Sequence, residues 1–123
     1  HPGRIGAQKN ERGVKKKDPT IDRVFHALGD PTRRAILDRL SRAPTTVTRL
    51  AEALGVTLTA IGQHLQILED SGLARTEKLG RVRTCSIHHA GFDHLEVWIR
   101  DHRSAWEKRL DRLGQFLAES EGE

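Results

Sequence analysis

Apolar side chains in this chain recur mostly every three or four residues, and the breaks between the runs fall at Gly and Pro. In TIDRVFHALGD, Ile21, Val24, Phe25 and Leu28 stand at helical spacing and Gly29 stops the run. DPTRRAILDRLSRAP follows, with Asp30 in the N-cap position and Pro31 at the first helical residue. Its apolar face is Ile36, Leu37 and Leu40, and Pro44 closes it. TTVTRLAEALGV predicts a third, short helix with Val47, Leu50, Ala51 and Leu54 inward and Gly55 at its end. After a three-residue turn, VTLTAIGQHLQILEDSGL predicts a fourth helix over 57–71.

At 100° per residue, Ile61, Leu65 and Leu68 of that helix form one stripe, with Leu58 on its edge, and this face packs on the preceding helices. Opposite lie Thr59, Gln63, Gln66 and Asp70, with Ala60 and Ile67 beside them. The N-terminal half of the outer face, Thr57, Thr59, Ala60, Gly62 and Gln63, is small and uncharged, where an ordinary surface helix carries Lys and Glu. It reads as a contact face. Gly62 stands out in it, because glycine inside a helix costs about 1 kcal/mol relative to alanine. His64, at the flank of the stripe, reads as a helix-packing residue first and a phosphate contact second.

The helical spacing then gives way to two β-prone runs, Leu73 to Lys78 and Val82 to Ile87, around Leu79-Gly80-Arg81, which predicts a hairpin with Gly80 at the tip. Arg75, Lys78, Arg81 and Arg83 make it basic, against Glu77 alone. From Phe92 onward Leu95, Trp98, Ile99, His102, Trp106, Leu110, Leu113 and Leu117 return every three or four residues. So long an amphipathic helix, about 92–118, exceeds what a core this small can cover. Its exposed strip invites a second copy of the chain, with the first helix joining the interface.

Composition narrows the classes. A chain of 123 residues at 36% hydrophobic content buries one modest core, which predicts one domain over 20–118, a basic tail over 1–19 and a short disordered end over 119–123. The net charge of +4 comes from that tail, with six basic residues against two acidic, while the rest carries fifteen of each. Overall basicity is therefore a weak argument for nucleic acid, and the placement of the arginines has to carry it. Cys85 is the only cysteine, so no disulfide forms within the chain, and a reducing, cytoplasmic setting is expected. No stretch reaches the ~18 apolar residues of a membrane span, and the opening residues lack the apolar segment of a signal peptide.

The order helix, short helix, three-residue turn, helix, basic hairpin is that of a winged helix-turn-helix. On FHALGDPTRRAILDRL, VTRLAEALGVTLTAIGQHLQILEDSGL and GRVRTCSI, about residues 20–117 resemble the ArsR/SmtB family of bacterial transcriptional regulators. The resemblance implies a mainly α fold with a small β-hairpin wing (α+β), in the order α-α-α-α-β-β-α. It also implies a dimer through the first and last helices, with Phe25, Leu95, Trp98, Ile99, His102, Trp106, Leu110 and Leu113 at the interface. Such a homodimer binds a palindromic operator in double-stranded DNA and represses transcription until an inducer or metal releases it.

In that frame helix 57–71 enters the major groove. Gln63 is suited to bidentate bonds with adenine, and Thr57, Thr59, Ala60 and Gln66 to bases, thymine methyls or phosphates, at about 1–3 kcal/mol of discrimination per good base contact. Gly62 lets the backbone approach, Thr57 also suits the N-cap, and Thr46 and Thr48 face backbone phosphates. Arg81 and Arg83, on wing 73–87, reach phosphates or a minor groove. A dimer sets its two reading helices about 34 Å apart.

The family's metal-site motifs are missing: the third helix has no cysteine, Asp93 is followed directly by His94, and Ala105 stands three residues after His102. No cofactor is therefore expected, and His88, His89, His94 and His102 remain only as donors for a nonstandard zinc or nickel site. His102 and His26 are also candidates for a pH-sensitive interface. Cys85 reads as packing rather than a redox switch. The Arg33–Arg34 pair reads either as a family motif or as salt-bridge partners within the fold. Neither a glycine-rich phosphate loop nor a Ser–His–Asp arrangement is present, so an enzyme is not expected. The competing reading is a winged-helix protein-interaction module; an intermediate one is a repressor whose ligand response rests with a small molecule or a partner protein. No membrane role is expected.

Overall fold

A computed structural model describes residues 19–122; the basic tail, apart from its last residue, lies outside the described residues. Helix α1 spans Pro19–Leu28 and α2 Pro31–Arg42. A two-residue strand β1, Thr45–Thr46, leads into α3, Val47–Leu54, and α4 covers Leu58–Asp70. Strands β2, Ala74–Leu79, and β3, Val82–Ile87, form the hairpin, and α5 runs His89–Gly122. The expected element order holds, with β1 added. Thr45 pairs with Cys85 and Thr46 with Thr84, giving an antiparallel sheet in the order β1-β3-β2. Two residues are too few for an alternating pattern, and TTVTR reads from sequence as the start of a helix.

Helices α2, α3 and α4 begin where a side chain can accept an early amide. Asp30 Oδ2 accepts from the Arg33 amide at 3.0 Å, Thr46 Oγ1 from Arg49 at 3.2 Å and Thr57 Oγ1 from Ala60 at 3.1 Å. Helix α3 ends with the amides of Gly55 and Val56 donating to the carbonyls of Glu52 and Ala51.

The core gathers Ile21, Val24 and Ala27 of α1, Ile36, Leu37 and Leu40 of α2, Leu50 and Ala51 of α3, and Ile61, Leu65 and Leu68 of α4. Leu73, just before β2, and Ala74 and Cys85 of the sheet close it. Leu58, read as the edge of the buried stripe, is instead 56% exposed: it sits in the first turn, where it lines the cleft toward the wing. Phe25 is likewise exposed, on the side of α1 that faces α5.

Arg33 is buried, and its guanidinium works inside the fold. Its Nε donates to the carbonyl of Ala27 at 2.8 Å and its Nη2 to that of His26 at 2.9 Å, while Arg34 Nη1 reaches the Leu28 carbonyl at 2.7 Å. The pair thus satisfies the open carbonyls at the end of α1. Arg33 Nη1 also donates to His64 Nδ1 at 3.2 Å, which ties α4 to the α1–α2 corner and makes His64 a packing residue.

Gly91 fixes where α5 starts. Its amide donates to the Gly72 carbonyl at 2.8 Å, and a Cβ there would lie 2.5 Å from the Ser71 carbonyl oxygen, so only glycine lets α5 rest on the α4–β2 turn. Only the first third of α5 packs on the core, through Phe92, Leu95 and Trp98. The helix then continues to Gly122, past the end expected near 118 and through the residues 119–122 expected to be disordered.

Candidate nucleic-acid interface

The second helix of the helix-turn-helix presents three distinct flanks once its core stripe is fixed. At 100° per residue, Leu58, Gly62 and Glu69 fall on one side of the stripe, Ala60, His64 and Ile67 on the other, and Thr59, Gln63, Gln66 and Asp70 point outward. The first flank faces the wing: Glu69 Oε2 accepts from both the amide of Thr76 at 3.1 Å and its hydroxyl at 2.7 Å. Leu58 and Gly62 line a cleft of about 440 Å3 together with Thr46, Val47 and Thr48 of the β1–α3 junction and Arg81, Val82 and Arg83 of the wing. The second flank is held by His64 on Arg33, with Asp30 Oδ2 at 3.9 Å.

This placement sorts the residues expected at the interface. Thr59 and Gln63 are exposed on the outer face, and Ala60 is half-buried on the flank away from the wing. Gln66 is exposed but donates to Asp70 Oδ1 at 3.0 Å, one turn on. Thr57 and Thr46 spend their hydroxyl acceptors on the caps of α4 and α3, whereas Thr48 is exposed. Gly62 differs from the sequence reading in its neighbours. It stands in the cleft toward the wing, and a Cβ there would meet nothing within 4 Å.

The wing is a tight hairpin in which Leu79 pairs with Val82 across Gly80-Arg81. Gly80 has φ +62° and Arg81 a negative φ, the pattern of a type II′ turn that requires glycine first. The turn projects Arg81 beyond the sheet, and Arg83 Nη2 lies 3.4 Å from Thr76 Oγ1, to which it donates. The Glu69–Thr76 clasp, which sets the wing against α4, was not among the expected site residues. A glutamate near a helix C-terminus gives no sequence signal of a partner seven residues on.

Behind this face, α1 and α5 share an aromatic cluster. Trp98 meets Phe25 edge-on at 4.9 Å and stacks on His102 at 4.1 Å, while Trp106 stands edge-on to Trp98 at 5.9 Å. His102 Nδ1 donates to the Trp98 carbonyl at 2.8 Å. Leu95 and Trp98 pack against the core, whereas Ile99, Trp106, Leu110, Leu113 and Leu117 stay exposed along one strip, flanked by Phe116. Phe116 completes that strip and was missed by the sequence reading.

The histidines weighed as metal donors fall at three places, one of which holds both His94 and His102. Arg75 Nη2 donates to His88 Nδ1 at 3.0 Å, His89 is exposed at the start of α5, and His94 shares a shallow cleft with Ile21, Trp98 and His102. Among the described residues, no group of three or more His, Cys, Asp and Glu converges at metal-binding distances. Cys85 is fully buried, and burial pushes its thiol up to about 11. No helix among the described residues is long and apolar enough to cross a membrane.

Comparison with known proteins agrees with this geometry. A family profile described as a helix-turn-helix domain matches residues 28–77. The chain is 35% identical to the HTH-type transcriptional regulator Rv2034 of Mycobacterium tuberculosis, over 83% of this chain and 92% of the relative. Among solved structures it is similar to the ArsR family transcriptional regulator RHA00566, at 46% identity and TM-score 0.68, over 74% of this chain and 95% of that one. It is also similar to the homodimeric winged helix-turn-helix DNA-binding domain of Mb0332 from Mycobacterium bovis, a possible ArsR-family regulator. There the identity is 30% and the TM-score 0.56, over 73% and 82% of the two chains.

Proposed function

This chain belongs to the ArsR family of winged helix-turn-helix DNA-binding transcriptional regulators, and from that premise we propose that it is a homodimeric repressor, each protomer reading one half of a palindromic operator. The observation that carries the reading is the outer face of α4, which presents Thr59 and Gln63 and no cation, between the Thr48 side of α3 and the Arg81 and Arg83 side of the wing. Neutral hydrogen-bonding groups suit base edges, and guanidiniums and hydroxyls on either side suit the sugar-phosphate strands. The cleft between α4 and the wing then takes one strand of the backbone. Gly62 keeps that cleft open, and Leu58 and Val82 give it apolar walls against the sugars.

Dimerisation rests on the exposed strip of α5, whose Trp106, Leu110 and Leu113 are each at least half exposed in the single chain. A structural relative is homodimeric, and burying this strip against a second copy removes an apolar surface that water disfavours. The two reading helices are then set one DNA turn apart.

The test is a set of surface variants scored for both DNA binding and sedimentation. Gln63→Ala lowers affinity for the operator far more than for scrambled DNA, and Arg81→Gln with Arg83→Gln lowers both together, while the dimer persists in each. Leu110→Glu yields monomers that bind DNA weakly. Variants of Gln63, Arg81 and Arg83 that bind DNA like the parent would point instead to a protein-interaction module.

A further inference from the structure

Three arginines outside the recognition helix and wing converge on a second cleft. Arg39 and Arg42, from the last turn of α2, and Arg49, from the first turn of α3, line a hollow of about 320 Å3 floored by Pro44, Thr45 and Leu50. All three are exposed, and among the described residues none of their side chains makes a hydrogen bond or ion pair. Residues 39–51 contain these three cations and no acidic side chain. Arg39 and Arg42 do favour the negative end of α2, but that does not account for Arg49, which comes from another helix and faces the same hollow.

The hollow adjoins the DNA face through β1. Thr46 lines the cleft beside the wing and its neighbour Thr45 lines the arginine hollow, as successive residues of a strand point to opposite sides. A backbone strand that leaves the first cleft past the start of α3 therefore meets the second. We propose that Arg39, Arg42 and Arg49 form a phosphate-binding patch that grips the DNA backbone flanking each half-site. This extends the footprint beyond the recognition helix and wing. The inference rests on the DNA-binding reading above, and it adds a sequence-independent contact to it. It also gives a chain whose residues 20–123 are electrically balanced a local source of attraction for DNA.

The experiment measures the dependence of binding on salt. Each phosphate neutralised contributes about 0.9 to the slope of log affinity against log salt. On a long random-sequence duplex, Arg39→Gln/Arg42→Gln/Arg49→Gln therefore lowers the slope by about 2 to 3 and weakens binding, with the same loss on operator DNA and on scrambled DNA. On a duplex trimmed to the two half-sites, the variant binds like the parent. Helical circular dichroism confirms that the triple variant folds.

A slope unchanged on the long duplex, in a parent protein that does bind DNA, overturns the patch and leaves the DNA-binding reading standing. A parent that shows no salt-dependent binding removes that reading itself. Titration with inorganic phosphate in the absence of DNA separates the two sources of the anion. Saturable phosphate binding that the triple variant loses, together with an unchanged DNA slope, assigns the hollow to a free anion and also overturns the proposal.

Discussion

Gly62 shows how a single position changes meaning between sequence and structure. On sequence it marks a flaw in a helix, next to Gln63 on the outer face. In the fold it borders the cleft toward the wing, with open space where a Cβ would stand. Gly62→Ala therefore strains nothing and recovers helix propensity, which raises stability by about 0.5–1 kcal/mol in thermal unfolding. Its methyl enters the cleft proposed to receive DNA, so operator affinity stays level or falls; tighter binding would show the glycine to be no more than lost propensity. Cys85 is the reverse case, a residue that looked reactive only by type. Burial disfavours its thiolate, with Glu69 adding to the effect and Arg83 opposing it. The thiolate is the nucleophile, so iodoacetamide at neutral pH should modify the folded protein far more slowly than the denatured one. The raised value also means that the neutral thiol's stabilising share is whole below about 9 and is lost as pH climbs through about 11. Asp30 titrates in the opposite sense. The Arg33 amide on its carboxylate lowers its pKa from 3.8, so the cap is intact above that ordinary value and fails as pH falls through the lowered one.

Elements built from local signals were legible in the sequence, and those built from distant contacts were not. The helix starts at Asp30 and Thr57 and the tip at Gly80 follow from capping and turn chemistry, which involve residues within a few positions. Strand β1 exists only because β3 lies beside it, and no two-residue segment announces its partner. The Arg33–Arg34 pair was ambiguous for the same reason, since the carbonyls it satisfies belong to the preceding helix. Arg33→Ala leaves the buried Ala27 carbonyl without its side-chain donor, while the His26 carbonyl keeps the Gly29 amide at 3.2 Å, and at about 1–3 kcal/mol for an unsatisfied buried group it should cost about 1–3 kcal/mol. Arg34→Ala loses only an exposed bond to Leu28 and should cost below about 1 kcal/mol. Chemical denaturation of the two variants checks the contrast, and equal losses would show that Arg33 is not the closing group of α1. The Glu69–Thr76 clasp was equally hidden, although it sets the angle between α4 and the wing.

At the scale of the molecule, different faces of the chain carry different chemistry. Arginines gather on the wing and at the α2–α3 corner, the neutral Thr59 and Gln63 on the N-terminal half of the outer side of α4, and exposed apolar side chains along α5. The periodic pattern foretold the apolar strip of α5, but the helix outruns its expected end by four residues because no proline or capping signal stops it before Gly122. The face proposed for DNA and the strip proposed for a second copy are linked through the aromatic contact of Phe25 with Trp98 and the grip of Arg33 on His64. The central claim is that this arrangement reads sequence as well as binding charge. The direct measurement is the affinity of the purified protein for DNA from upstream of its own gene, set against a scrambled duplex of the same length, across a range of salt. The account predicts a preference for the upstream DNA that persists as salt rises, while both affinities fall steeply. Equal affinity for the two duplexes at every salt concentration would contradict it.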